Sequence, residues 1–141
     1  MIRSDQGKAD MAHEILHADE LSAPAGVFVQ ATRVEASGHF IYVSGLTSRN
    51  QNGSVLGVGD IRAQTAHILD NLKIILAKGN ATLGDVVRVV VYITDMDDFA
   101  AIHEVRARYF AGARPASTMV EVSRLVHPDM KIEIEATAHV K

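Results

Sequence analysis

The chain has no cysteine among its 141 residues, which removes disulfides, thiolate zinc and iron–sulfur sites and thiol nucleophiles together. It has only three prolines, and it has no excess of positive charge: 14 Lys and Arg against 17 Asp and Glu leave a net charge of −3 and a pI near 6.1. That is the wrong field for holding a polyphosphate strand, so no nucleic-acid partner is expected. No apolar run approaches the roughly 20 residues needed to cross a bilayer. The opening segment MIRSDQGKADMAHEILHADE is too polar for a signal-peptide core. The expectation is a cytoplasmic protein with no membrane partner. What is present is apolar: 48% hydrophobic residues against 22% charged ones describe a chain that folds, and its length suits one domain.

Residues 1–22 carry mixed charge and no sustained periodicity, and they predict a mobile N-terminal arm with one helical turn around Met11–Leu16; residues 23–141 form the single domain. Val27–Val34 and His39–Ser44 read as two strands joined as a hairpin through Ala36-Ser37-Gly38, with a brief extended piece near Ser54–Leu56. From Asp60 the apolar period changes: Ile61, Thr65, Ile68, Leu69, Leu72 and Leu76 recur every three or four residues, an amphipathic helix with Asp60 as N-cap and Gly79 as its left-handed end. Val86–Thr94 is a β-branched run typical of a strand buried on both faces. Asp97 or Asp98 then caps a second helix through Phe110, striped by Phe99, Ile102, Val105, Arg106 and Tyr109 and closed by Gly112. Ser117–Ser123 and Met130–His139 complete the strands.

The fold class is therefore α+β, a mixed sheet with two helices on one face. The last strand points Ile132, Ile134, Ala136 and Ala138 one way and Glu133, Glu135, Thr137 and His139 the other. Two helices cover one face only, so the second face predicts a homo-oligomer whose interface also holds a wet cleft.

Phosphate loops, nucleophile elbows, HExxH and dinucleotide glycine motifs are all missing. The seven histidines are scattered, and no metal site is expected. Three places can carry chemistry. Ser44-Gly45 ends a strand and presents a hydroxyl and backbone N–H groups. Glu133 and Glu135 share a sheet face, where partial covering suits a carboxylate for acid or base work. Arg114-Pro115-Ala116-Ser117-Thr118 brings a cation and two hydroxyls to the start of a strand.

Taken in order, Ile41-Tyr42-Val43-Ser44-Gly45, Gln64-Thr65 through Asn71-Leu72, Gly84-Asp85-Val86-Val87-Arg88, Asp95-Met96-Asp97-Asp98-Phe99, Pro115-Ala116-Ser117-Thr118 and Ile132-Glu133-Ile134-Glu135-Ala136 resemble the Rid family of reactive intermediate deaminases, also called the YjgF or L-PSP endoribonuclease-like family. The resemblance covers about Val27 to Val140. It implies a chorismate mutase-like fold and a homotrimeric barrel with a small-molecule ligand in each intersubunit cleft. It also implies hydrolysis of enamines and imines without cofactor, with loss of ammonia. An arginine clamps the substrate carboxylate, a glutamate positions water, and a strand-end serine helps hold the substrate.

Carried onto this chain, the water-positioning glutamate is Glu133 and the Ser-Gly pair is Ser44 and Gly45. Asp97 stands where many members have asparagine. Met119 stands where cysteine is common, after Thr118, and the family's first-strand tyrosine falls at Phe28 or Ala31. The clamping arginine is absent: its position is Ser117. Loss of such a bidentate contact costs roughly 2–5 kcal/mol unless another cation compensates, and Arg114 and Arg49 are the candidates. The expected function is an imine or enamine deaminase whose substrate differs from plain 2-aminoacrylate and resembles 2-aminomuconate. The alternatives are a non-catalytic ligand sensor or chaperone on the same fold and, last, a ribonuclease.

Overall fold

The computed structural model describes residues 13–141. Four strands form the main sheet in the order β3 (His39–Thr47), β6 (Ile132–Val140), β4 (Val86–Ile93), β5 (Ala116–Glu121). β6 runs antiparallel to both neighbours, whereas β4 and β5 are parallel. A parallel pair needs a crossover, and α2 (Phe99–Phe110) supplies it. α1 (Ile61–Lys78) packs beside α2 on the same face. Ile68, Leu69, Leu72 and Leu76 of α1 and Ile102, Val105 and Phe110 of α2 bury against Val89, Val91, Ile93, Ile132, Ile134 and Ala136 of the sheet. The mixed sheet with two helices on one face is the expected architecture, and Ile132–Val140 alternates as its sequence does.

The other face carries no helix among the described residues. It holds Phe40 and Tyr42, stacked with ring centres 6.1 Å apart and exposed by 45% and 77%, together with Val90, Tyr92, Glu133 and Glu135.

Several local expectations are corrected. The segments either side of Ala36-Ser37-Gly38 do not pair. β2 is shorter than expected, Ala31–Arg33, and pairs with β1 (Glu14–Leu16), while β3 pairs with β6. Short β-branched segments fix extended conformation but not partner, and here Thr32 Oγ1 donates to the Val87 carbonyl while Val29 bridges Ala116. The helical turn expected around Met11–Leu16 is a strand from Glu14 to Leu16; residues 1–12 of the expected arm lie outside the described residues. The extended piece near Ser54–Leu56 is a single bridge between Arg49 and Val55.

Asp60 caps α1 as expected, accepting from Ala63 N–H at 3.0 Å. Its far end differs: Gly79 has φ −99° and Asn80 takes the left-handed conformation at φ 56°. Gly79 is small for another reason, because a Cβ there would come within 2.6 Å of Ile41 Cδ1. At α2 the cap moves upstream. Asp95 accepts from the Asp97 N–H at 2.9 Å and starts a 3₁₀ turn, while Asp98 instead faces Lys131 at 3.3 Å. α2 stops at Phe110, and the left-handed residue beyond it is Arg114 (φ 49°) rather than Gly112.

Candidate active site

Between Val43 and Leu46, β3 places two residues, Ser44 and Gly45, opposite the single Glu135 of β6. This is a β-bulge, and bulges redirect a strand beside a site. Its glycine is required by the carboxylate it meets: a Cβ on Gly45 would lie 2.0 Å from Glu133 Oε1. The Glu133 carboxylate therefore rests directly on the Gly45 backbone, in a depression of about 290 Å³ lined also by Tyr92, Glu135 and Arg124. A second hollow of about 360 Å³ adjoins it on the far side of Gly45, formed by the Leu46–Gly53 loop with Arg49 and by Asn71 of α1.

The chain entering β6 just before Glu133 is held from behind. Gln64, fully buried on α1, donates to the carbonyls of Gly57 and Asp129 at 3.1 and 2.8 Å and accepts from the Lys131 N–H at 2.9 Å. One side chain thus fixes the loop that leads into β6. Beside Glu133, the Tyr92 hydroxyl donates to Glu135 at 2.5 Å. That hydrogen bond, then burial and the charges of Glu135 and Glu133, raise the phenol above its ordinary value against a smaller opposing effect of Arg88, so Tyr92 remains a donor near neutrality.

Residues paired across strands share a face. One row on the open face reads Val120, Tyr92, Glu133 and Thr47, and the next reads Thr118, Val90 and Glu135. Ser117 and Met119 alternate with these and face the helices. The structure therefore brings Gly45 and Glu133 together at the bulge that Ser44 and Gly45 form, places Arg49 in the neighbouring hollow that shares Gly45, and sets Thr118 on the same open face as Glu133. It puts Ser117 and Met119 behind the sheet from Glu133. Arg114 is exposed at the entry to β5, and Asp97 is exposed in the turn before α2.

Behind the sheet, Arg106 of α2 donates from Nη2 to the Ser117 hydroxyl. Only 2% of this arginine is exposed, and its guanidinium carbon sits 4.1 Å from the centre of the Phe28 ring. Burial lowers its pKa to about 10, so it is charged at neutral pH.

Three of these residues escaped the sequence reading as site groups: Tyr92, Arg124 and Arg106. Tyr92 had a signal in being the one polar side chain in Val89–Ile93. Arg106 had a better one, a cation on the apolar stripe of a helix.

Comparison with known proteins decides the family. The profile described as Endoribonuclease L-PSP matches residues 18–140. The chain belongs to this family, that of the Rid, YjgF and RutC proteins. It is 40% identical over 129 residues to a RutC family protein of Pyrococcus abyssi, covering 92% of this chain and 98% of that one. It is 38% identical over 130 residues to the 3-aminoacrylate deaminase RutC of Acinetobacter baylyi, covering 92% of this chain and 100% of that one. Among solved structures, a Rid family protein of unknown function, YyfB from Yersinia pestis, superposes with a TM-score of 0.84 at 32% identity, over 92% of this chain and 100% of that one. Membership supports a deaminase-type role at the level of the family. Among the described residues no helix is long and apolar enough to cross a membrane.

Proposed function

We propose that this protein hydrolyses a small imine or enamine that carries a carboxylate, releasing ammonia. The observation that carries the proposal is the Glu133 carboxylate laid over the Gly45 bulge at the floor of an open depression. An enamine reacts as its imine tautomer, formed when a proton moves from nitrogen to the β-carbon. Water held there by Glu133 adds to the imine carbon as Glu133 takes its proton. The proton taken from water passes by way of Glu133 to the nitrogen, and as the carbon–nitrogen bond of the adduct breaks the hydroxyl proton is transferred to the departing nitrogen, so the products are a carbonyl compound and ammonia. Every atom comes from substrate and water, so the proposal needs no cofactor.

The opposite placement of Glu133 and Ser117 within one sheet supports an assembled site. An open face bearing Phe40, Tyr42 and Val120 suits a homotrimer, in which one subunit's Glu133 face meets the β5 edge of another and the ligand lies in the cleft between them. The net charge of −3 gives no field to hold a polyphosphate strand, which weighs against ribonuclease action.

The test is ammonia release from freshly generated 3-aminoacrylate, 2-aminoacrylate and 2-aminomuconate by the native protein and by Glu133→Ala. Turnover that disappears in the variant supports the proposal. No turnover of any of them, with melting still raised by the corresponding saturated carboxylates, overturns it in favour of a ligand-binding sensor.

A further inference from the structure

We infer that Arg106 is the group that binds the substrate carboxylate in this protein, reaching from α2 to the place on β5 where Ser117 stands. The inference rests on the function proposed above for the class of ligand, but its observations are separate. Arg106 is a buried cation with no acidic partner among the described residues. Its Nε is sealed from solvent and makes no hydrogen bond among them, and Nη2 meets only the neutral hydroxyl of Ser117. A buried charge without a counterion is an unstable arrangement, and native proteins normally supply a partner. Here the partner has to come from outside the described fold.

The surroundings select a planar anion. The face of Phe28 holds the guanidinium by cation–π contact and Ser117 fixes its orientation, so the fork is preorganised rather than swinging. Such a fork matches the two oxygens of a carboxylate. Access is from the edge: β5 is the last strand of the sheet, Ser117 is half-buried, and the neighbouring segment bridges it only at Ala116. The other candidate cations differ in setting. Arg49 and Arg114 are both exposed, and an exposed cation binds an anion weakly in water.

The experiment compares binding of pyruvate and of its neutral amide by calorimetry, using the full chain as native protein, Arg106→Met, and Arg106→Met combined with Ser117→Arg. The expected result is that the native protein binds pyruvate and discriminates against pyruvamide. Arg106→Met should lose at least tenfold in pyruvate affinity with no change for the amide, and the double variant should regain it by returning the cation to the same place from β5. Where Arg106→Met does not fold, Arg106→Lys and Ser117→Ala are read instead, and each should weaken pyruvate several-fold. Unchanged pyruvate affinity in folded Arg106→Met, or in both substitutes, overturns the inference, as does a native protein blind to pyruvate at millimolar concentration. Ammonia release is scored independently. Arg106-dependent binding without turnover sinks the proposed reaction and leaves the carboxylate site standing; turnover that survives intact in Arg106→Met does the reverse.

Discussion

The two sides of the main sheet solve opposite problems. On the open face, Glu133 and Glu135 keep their charge half in solvent, held by a glycine bulge and a tyrosine hydroxyl. Behind the sheet, Arg106 keeps its charge almost wholly out of solvent, held by one hydroxyl and one ring. The first arrangement is inexpensive and suits a group that meets water. The second carries a standing cost, because burial disfavours the charged guanidinium and lowers its pKa to about 10. A destabilising feature retained in the core is what a preformed binding group looks like.

The largest expected effect breaks the open face. Glu133→Ala should lower ammonia release at least a hundredfold while leaving the far-ultraviolet circular dichroism unchanged, because the side chain is half-exposed and outside the core. Gly45→Ala comes next. Its methyl would occupy the position of the Glu133 carboxylate, so turnover should fall tenfold or more, and the same change in a Glu133→Ala background should have almost no further effect.

On the buried side the prediction is reversed in sign. Arg106→Met should raise the melting temperature of the ligand-free protein by several degrees at pH 7, since methionine fills the space without a charge. The pH dependence follows from the lowered pKa. Below pH 10 both folded and unfolded chains are protonated at this group and the burial cost is complete. Above pH 10 the unfolded chain binds the proton more tightly than the folded one, so this group's penalty shrinks as pH rises. The stabilisation by Arg106→Met should accordingly be flat below pH 10 and diminish above it, as read by chemical denaturation. A lower melting temperature at pH 7 would make Arg106 a structural residue and erase the contrast between the faces.

The smallest effect is spectroscopic. Glu135→Gln should move the ultraviolet titration of Tyr92 toward lower pH, because the carboxylate that raises it is gone, and Tyr92→Phe should remove that late-titrating phenol altogether.

Much of the local structure was legible. Asp60 with the stripe from Ile61 to Leu76 defines α1, and the alternation of Ile132 to Ala138 assigns each residue of β6 to a face. The Ser44-Gly45 and Glu133 positions were legible too, through the order of family motifs. Their meeting was not, since it depends on a bulge that shifts the pairing of β3 with β6 by one residue. The Val27–Val34 segment shows the same limit: it reads as extended, but whether it pairs with the next strand or with Glu14–Leu16 depends on which edges the rest of the sheet leaves free.

The sequence by itself determined the class of fold, the extent of the two helices and the two faces of β6, because hydrophobic periodicity acts over a few residues. It also determined that no arginine stands at position 117. Only the tertiary structure decided that an arginine is there nonetheless, brought from α2 across the parallel β4–α2–β5 crossover to the hydroxyl of Ser117. A guanidinium's place in space is set by the packing of the element that carries it, and eleven residues along the chain give no hint of that distance.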